Sequence, residues 1–284
     1  MNFPKNWKAY ELLDHGNERK LERFGNIVTD RPEPAATWNK LLTESDWKKA
    51  DTVFTEQKNQ KGFWNTELED WNLSYPFGDQ EIRFKLSQGT FKHLGVFPEQ
   101  ANNWEFIREK CSELLVKGIT PKFLNLFAYT GGASLAADLC GAEVTHIDSV
   151  KSVVNWAREN ADLNNIDSIR WIVEDASTFV EKEIRRGNSY HGIIMDPPIF
   201  GLGPKGGRWK LNRDLPNLLE NAMKLLDPIN RFFILNTYSP QLPLSDLKKI
   251  LSSVSDFPKN YEITTLGLKS ASGKELPLGN LVRF

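Results

Sequence analysis

From about residue 105 onward, short apolar runs typical of buried strands alternate with segments whose apolar residues recur at helical spacing. The run "KFLNLFAYT" precedes the helical segment "GGASLAADLCG", and "EVTHID" precedes "SVVNWARENADLNN". The runs "IRWIVED", "HGIIMD" and "RFFILNTYS" are each followed by a helical segment as well. This alternation predicts parallel strands joined by crossover helices that cover both faces of one sheet.

The chain closes with two further strand patterns, "YEITTLGLKS" and "LPLGNLVRF", joined by a loop that contains Gly273. A closing strand pair places one antiparallel strand in an otherwise parallel sheet. We therefore predict an α/β domain over residues 104–284, with a mostly parallel, doubly wound sheet that ends in an antiparallel hairpin.

The first part of the chain has a different character, with strand patterns, turns and six of the nine tryptophans before residue 105. The segment "YELLDHGNERKLERFGNIVTDRPEP" predicts two short strands around a polar turn. We predict a small β-rich domain over residues 1–103 whose tryptophans fill its core, and it is a candidate for substrate binding. Its first 85 residues show no recognisable RNA-binding module.

Composition excludes several classes of protein. Thirty-six basic residues face 37 acidic ones, so a nucleic-acid partner has to meet a local basic patch rather than a basic protein. No apolar run reaches the roughly 18 residues that span a bilayer, and the N-terminus lacks the apolar segment of a signal peptide. Only Cys111 and Cys140 are present, which argues against a disulfide framework or a metal site and favours a cytoplasmic location.

Chemistry-bearing residues stand where four successive predicted strands end. Gly131 and Gly132 follow the first strand, Asp148 ends the second, Asp175 follows the third, and Asp196 ends the fourth. Ligands of open parallel sheets bind at these ends. An acid 17 residues after Gly131 suits the two hydroxyls of a ribose, and Asp175 suits an adenine amino group. Taken singly, the glycines could form a tight turn and each acid could cap a helix.

A nicotinamide dinucleotide is the competing ligand, but it needs a G-x-G-x-x-G pattern for its pyrophosphate, which "AYTGGAS" lacks. A ligand with a ribose and an adenine but no phosphate fits better, and S-adenosylmethionine is such a ligand. The predicted cofactor-binding residues are Gln100, Phe127, Tyr129, Thr130, Gly131, Asp148 and Asp175.

The segments "LNLFAYTGGASLAA", "AEVTHIDSVKSVVNWARENADLNN", "IVEDASTFV" and "IIMDPPIF" resemble the class I S-adenosylmethionine-dependent methyltransferases. Within that class they are most similar to bacterial large-subunit rRNA methyltransferases acting on cytosine carbon-5 or guanine nitrogen-7, and "HLGVFPEQANNW" resembles the segment leading into their cofactor pocket. An RNA partner, ribosomal RNA above all, is the leading hypothesis. The resemblance spans roughly residues 90–284 and implies a Rossmann-like seven-stranded sheet and methyl transfer. It does not identify the substrate.

The stretch "MDPPIF" is the predicted catalytic segment. The carboxylate of Asp196 and the carbonyl of Pro197 can accept hydrogen bonds from an aromatic amine and hold its nitrogen for in-line attack on the methyl group. Phe200 offers a face on which a flipped base can stack. The structural alternative is that Asp196 caps a turn and Phe200 fills the core.

The carbon-5 branch of the resembling family uses a cysteine that attacks the pyrimidine ring, and here this chain departs from it. No cysteine follows the fourth strand, and the fifth ends "LNTYSPQL". Cys111 and Cys140 both fall on predicted helices and are interpreted as packing residues. We therefore predict attack by nitrogen, without a catalytic cysteine.

The segment "GPKGGRWKLNR" predicts a basic loop, with Trp209 among its cations, that could contact an RNA backbone and an unstacked base. A solvated loop is the alternative. Tyr238 either shapes the target pocket or ties down a loop. The predicted substrate-binding residues are Lys205, Arg208, Trp209 and Tyr238.

Two other functions fit the sequence. One is methyl transfer to a protein amide or a small aromatic amine. The other is a non-catalytic RNA-binding or ribosome-assembly protein that keeps the fold. The sequence leaves the oligomeric state open.

Overall fold

The computed structural model describes residues 1–5, 7–57, 61–202 and 208–284. Its chain forms two compact units: Met1–Asn102 with Leu266–Leu278, and Asn103–Thr265 with Gly279–Phe284. The tip of the C-terminal hairpin is therefore counted with the first unit. The separation of domains at residues 103 and 104 stays a prediction.

The first unit is rich in β-structure and holds a five-stranded sheet, a short helix α1 and a separate antiparallel strand pair. The sheet has the strand order β1-β2-β3-β4-β5, and β6 pairs with β7. These elements are β1 (Tyr10–Gly16), β2 (Arg19–Phe24), β3 (Ile27–Pro32), α1 (Glu44–Trp47), β4 (Thr52–Glu56), β5 (Gly62–Trp64), β6 (Trp71–Phe77) and β7 (Gln80–Leu86).

The prediction of two strands around one polar turn at the start of this unit was wrong, because the segment forms three strands. Gly25 adopts φ = +65°, and this left-handed conformation allows a second tight turn between β2 and β3. The unit ends with a 3₁₀ turn over Pro98–Gln100.

The second unit alternates strands and helices as predicted, with its core between the sheet and the helices. Its elements are α2 (Ala101–Val116), β8 (Lys122–Leu126), α3 (Gly132–Leu139), β9 (Glu143–Asp148), α4 (Lys151–Leu163), β10 (Arg170–Val173), α5 (Ala176–Arg186), β11 (Gly192–Met195), β12 (Phe200–Leu202), β13 (Arg208–Lys210), α6 (Leu211–Leu225), β14 (Phe232–Thr237), α7 (Leu244–Ser253), β15 (Glu262–Lys269) and β16 (Glu275–Arg283).

The seven-stranded sheet has the order β10-β9-β8-β11-β14-β16-β15. The pairs from β10 to β14 are parallel, and β16 runs antiparallel to β14. The predicted mostly parallel sheet with a C-terminal hairpin is confirmed. From β8 the chain winds to β9 and β10 on one side and then crosses to β11 on the other, so the topological switch lies between β8 and β11.

Strand register brings the carboxyl ends of the central strands level. Met195, the last residue of β11, pairs with Leu126 on β8 and with Leu235 on β14. Asp148, the last residue of β9, pairs with Val173 at the end of β10. The residues that follow these strands therefore share one edge of the sheet.

Within the described part of the chain, the structure contains no helix of the length and apolarity that crossing a membrane requires.

Candidate active site

The loop after β8 has an unusual backbone. Phe127, Tyr129 and Gly131 adopt φ values of +57°, +51° and +92°, all in the left-handed region. Each non-glycine residue held there costs on the order of 1–3 kcal/mol, and such strain concentrates at ligand-binding sites. Gly131 is the N-cap of α3, and no side chain caps that helix end. The N–H groups of its first turn are thus available to an anionic group.

Asp148 joins the end of β9 to this loop. Its Oδ2 atom accepts a hydrogen bond of 3.0 Å from the Tyr129 N–H, and its Oδ1 atom accepts one of 2.9 Å from the Val150 N–H. Burial raises the pKa of the carboxyl above its ordinary value, although these backbone donors oppose the shift. Because a carboxylate has about four acceptor positions, Asp148 keeps acceptor capacity for a ligand hydroxyl.

Two packing contacts hold the loop from behind. The Asn160 side chain on α4 donates a hydrogen bond of 2.9 Å from Nδ2 to the carbonyl of buried Thr130. A Cβ on Gly132 would lie 2.8 Å from Cζ2 of Trp104, so only glycine fits between the loop and α2. The two glycines therefore have different roles: Gly131 makes the turn, and Gly132 permits close packing.

A buried polar chain that the sequence reasoning missed lies under the same loop. Nδ2 of Asn125 donates to Oγ of Ser134 at 2.9 Å, and that oxygen lies 3.0 Å from Nδ1 of His146. Burial lowers the pKa of His146 to about 3, so the ring is neutral at physiological pH. The one available signal was Asn125, a polar residue within an apolar strand.

Asp175 is the N-cap of α5, where its Oδ1 atom accepts a hydrogen bond of 2.9 Å from the Thr178 N–H. The alternative that Asp175 caps a helix is thus confirmed for its Oδ1 atom. Recognition of adenine by its Oδ2 atom stays a prediction. Gln100 ends the 3₁₀ turn of the first unit and is half-buried. Its role toward the cofactor also stays a prediction.

Asp196 follows β11 directly, beside the topological switch. Pro197 is buried, whereas the Phe200 side chain is 67% exposed. Because Phe200 is exposed, the structural alternative that it fills the core is wrong, and its aromatic face lies four residues from Asp196. Among the described residues, no hydrogen-bond donor reaches the Pro197 carbonyl.

Trp209 does not occupy the position that the sequence suggested. Its ring is buried against Phe127, with 5.3 Å between centroids, and its Nε1–H donates a hydrogen bond of 2.7 Å to the Pro198 carbonyl. Of the segment predicted as a basic loop, Arg208–Lys210 form β13, which pairs antiparallel with β12, and Leu211 begins α6; residues 203–207 lie outside the described residues. Trp209 anchors this strand pair, and a buried ring cannot stack on an RNA base as predicted.

The basic residues of the segment that was predicted as a basic loop differ in what they contact. Arg208 and Lys210 are exposed, whereas Arg213 pairs with Asp214 at 2.7 Å and also donates to the Arg208 carbonyl. The predicted substrate residue Lys205 lies outside the described residues. Tyr238, half-buried after β14, packs closely against Gly279, where an added Cβ would come within 3.0 Å of its ring.

Neither cysteine is placed for nucleophilic attack. Burial raises the pKa of the Cys111 thiol to about 12 and that of the Cys140 thiol to about 11, so both are protonated at neutral pH. Cys111 lies on α2 and Cys140 caps the end of α3, away from the carboxyl edge of the sheet. Across the described stretches, no group of three histidine, cysteine or acidic residues could hold a metal ion.

The arrangement fits a ligand that carries a ribose and a carboxylate. Asp148 supplies acceptors for hydroxyls, and the uncapped N-terminus of α3 supplies N–H donors for an anion. At the neighbouring strand end, Asp196 and the Pro197 carbonyl supply two acceptors for the N–H groups of a second molecule. The edge of the sheet can therefore hold a nucleoside-containing ligand next to an amine.

Comparison with known proteins agrees with this geometry. Residues 55–248 match the family described as S-adenosylmethionine-dependent methyltransferase. The ribosomal RNA large subunit methyltransferase K of Neisseria meningitidis serogroup B is 31% identical over 273 residues, which cover 88% of this chain and 73% of that protein. The ribosomal RNA large subunit methyltransferase K/L of Pseudoalteromonas atlantica is 34% identical over 149 residues, or 51% of this chain. The match spans only 20% of that protein's length.

Among solved structures, an S-adenosylmethionine-dependent methyltransferase from Agrobacterium tumefaciens superimposes with a TM-score of 0.92 and 33% identity. The match covers 100% of this chain and 92% of that one. A putative methyltransferase, SMU.776, solved in complex with S-adenosylhomocysteine, shares the fold with a TM-score of 0.70 and 18% identity over 97% of this chain and 75% of that one.

Proposed function

Since this chain belongs to the S-adenosylmethionine-dependent methyltransferase family, we propose that it methylates a ring or exocyclic nitrogen of a nucleobase in RNA, with ribosomal RNA as the substrate. The observation that carries this proposal is the position of Asp196-Pro197-Pro198 at the topological switch, next to the loop held by Asp148. The name of the Neisseria relative, which aligns with 88% of the chain, supports the choice of RNA.

The cofactor side of the site is formed by the loop after β8 and the end of β9. Asp148 would accept hydrogen bonds from the ribose hydroxyls, Asp175 would accept one from the adenine amino group through its Oδ2 atom, and the start of α3 would receive the carboxylate. When bound, S-adenosylmethionine supplies an activated methyl group on a sulfonium that leaves as a neutral thioether. The protein's task is therefore alignment.

On the substrate side, the difficulty is that an aromatic amine delocalises its lone pair into the ring. Acceptors that hold its N–H groups orient the nitrogen for in-line attack and favour a more pyramidal geometry. Asp196 and the Pro197 carbonyl are two acceptors on a turn that two consecutive prolines stiffen. Positioning of this kind is sensitive to displacements of about 1 Å, which can cost ~100-fold in rate.

The base itself requires an aromatic surface once it leaves its stack. Phe200 presents such a surface within a few residues of the acceptors, and Arg208 and Lys210 add exposed positive charge on the neighbouring strand. Base stacking on an aromatic side chain contributes about 1–3 kcal/mol, and cations contact the phosphates. Because ribosomal RNA is the proposed substrate, we place the reaction in the cytoplasm.

Transfer of labelled methyl groups to ribosomal RNA from a strain that lacks this gene tests the proposal. The wild-type protein is expected to label the RNA, and Asp196→Asn is expected to lower the single-turnover rate by about 100-fold or more while S-adenosylhomocysteine still binds. Mass spectrometry of the nucleosides identifies the methylated atom. Label that survives RNase treatment and enters protein or small amines would contradict an RNA substrate.

A catalytic role also has to be separated from an assembly role. If the Asp196→Asn variant fully restores a deletion strain, the chain acts as an RNA-binding or assembly protein rather than as an enzyme. Loss of complementation, together with retained cofactor binding in isothermal titration, supports methyl transfer.

A further inference from the structure

The first unit contains a cavity of about 390 Å³ that is unrelated to the strand ends described above. Its size lies within the range of about 300–1,000 Å³ typical of small-molecule sites. Most of its walls are aliphatic, and its lining includes Leu13, Leu21, Val28, Leu41 and Leu42. Asp14 is the one acidic group of the lining that is deeply buried, with 1% exposure.

A β-bulge turns Asp14 toward this cavity. Leu12 on β1 pairs with Glu22 on β2, but Asp14 pairs with Leu21, so the register shifts by one residue between them. Without the shift, strand alternation would place Asp14 on the face of Leu12 and Glu22. With it, Asp14 shares the face of Leu21, and bulges that re-aim a side chain are typical of functional sites.

The two oxygens of Asp14 have different surroundings. Oδ2 accepts three hydrogen bonds, from the N–H groups of Leu41 and Leu42 at 3.0 and 2.9 Å and from Nε1 of Trp47 at 3.0 Å. Oδ1 is buried and has no hydrogen-bond partner among the described residues. An acceptor without a partner costs on the order of 1–3 kcal/mol, so a donor from a ligand would stabilise this oxygen.

The charge around the cavity favours a cation. No lysine, arginine or histidine in the described part of the chain lies within 4.0 Å of the Asp14 carboxylate, and its three donors are neutral. At the rim, Asp46 pairs with Lys49 at 2.7 Å, so their charges offset each other. No described basic side chain therefore pairs with the Asp14 carboxyl group, and a buried carboxylate is stabilised by a cationic partner.

We propose that this cavity binds a small organic amine, in which an ammonium group donates to Oδ1 of Asp14 and an apolar body packs against the aliphatic walls. Leu41 and Leu42, which are 59% and 39% exposed, form the outer wall. Exposed side chains change rotamer rapidly, so these leucines can admit the ligand and then cover it. Polyamines fit poorly, because the aliphatic walls leave their other ammonium groups unpaired.

The Trp47 indole reports on this site because its Nε1–H is bonded to the same carboxylate. Its resonance, assigned with Trp47→Phe, is followed by NMR while the protein is titrated with phenethylamine and, separately, with the matched neutral 2-phenylethanol. The amine is expected to shift the resonance saturably and to bind at least about 10-fold more tightly than the alcohol, because charge-assisted hydrogen bonds are roughly twice as strong as neutral ones.

Two variants locate the effect. Asp14→Asn keeps an acceptor for Leu41 and Leu42 but removes the charge, so phenethylamine should bind at least about 10-fold more weakly and phenylethanol with unchanged affinity. Ala271→Phe, in an exposed loop that lines the cavity, should reduce binding of both. Equal affinity of the wild-type protein for amine and alcohol, or no response of the Trp47 indole to the amine, would overturn the proposal.

Discussion

The backbone N–H of Tyr129 donates a hydrogen bond of 3.0 Å to Oδ2 of Asp148, and this contact joins the strained loop after β8 to the end of β9. It fixes the carboxylate beside the residues predicted to hold the cofactor. Asp148 therefore orders the loop, and its proposed second task is to present acceptors to a ribose.

Asp148→Asn is expected to weaken binding of S-adenosylhomocysteine by about 10- to 100-fold, because hydrogen bonds to a charged group contribute ~1.5–3 kcal/mol. Isothermal titration measures the change. Asp162→Asn, at an exposed position of α4, is the control and should bind normally. Equal affinities of the two variants would contradict a ribose-binding role.

The pH dependence of binding follows from the raised pKa of Asp148. Ribose hydroxyls donate to the ionised carboxylate, so affinity should fall as the pH drops through this pKa, beginning above the pH at which an ordinary aspartate titrates. The contribution of Asp148 to folding stability changes with pH in the opposite direction to the binding affinity. A carboxyl with a raised folded-state pKa contributes stability at low pH that is lost as the pH rises through that pKa. Titrations across the acidic range should show both trends, and Asp148→Asn should flatten them.

Phe200→Ala is expected to raise KM for RNA by about 5- to 100-fold, because stacking of a base contributes ~1–3 kcal/mol. The melting temperature should stay unchanged, since the side chain is 67% exposed. Phe200→Tyr keeps the ring and should keep KM. Steady-state methylation assays with all three proteins make the comparison, and an unaltered KM for the alanine variant would exclude stacking.

The variant Trp209→Phe tests whether Trp209 anchors the β12–β13 strand pair or stacks on a base. The variant keeps an aromatic ring but loses the donor to the Pro198 carbonyl, a hydrogen bond that contributes about 0.5–1.5 kcal/mol. We expect kcat to fall while KM for RNA changes little, because the turn that carries Asp196 loses its support. Full activity of this variant would show that the indole N–H does not position the turn.

Tyr129 holds a left-handed conformation with φ = +51°, which L-residues tolerate poorly. Tyr129→Gly should therefore be more stable than Tyr129→Ala by about 1 kcal/mol, the reverse of the usual order in regular structure. Urea unfolding of the two variants gives the difference. An alanine variant as stable as the glycine variant would mean that the loop relaxes out of this conformation.

The double variant Cys111→Ala/Cys140→Ala should methylate within about threefold of the wild-type rate. Thiols with raised pKa values are poor nucleophiles, so neither cysteine is expected to attack the substrate. Thermal unfolding serves as the control, because Cys111 is fully buried and its truncation lowers stability. A folded double variant that is inactive would reinstate cysteine-assisted attack on carbon.

Local pattern was sufficient to predict the second unit. The central strands β11 and β14 are buried along their whole length, so their sequences are continuous apolar runs, and the residue after such a run lies at the edge of the sheet. This is why Asp148, Asp175 and Asp196 could be found without a structure. The segment between β2 and β3 failed because a single glycine with positive φ made an additional turn.

Tertiary contacts decided the roles of individual side chains. Trp209 stands among cations in the sequence, but burial against Phe127 and the bond to Pro198 make it an anchor. Asp14 lies in an ordinary strand pattern until a bulge turns it toward a cavity. Burial and hydrogen-bond partners depend on residues distant in the chain. The order of residues determined which side chains follow the strands at the candidate edge of the sheet, and packing alone decided which of them are buried and which are exposed there.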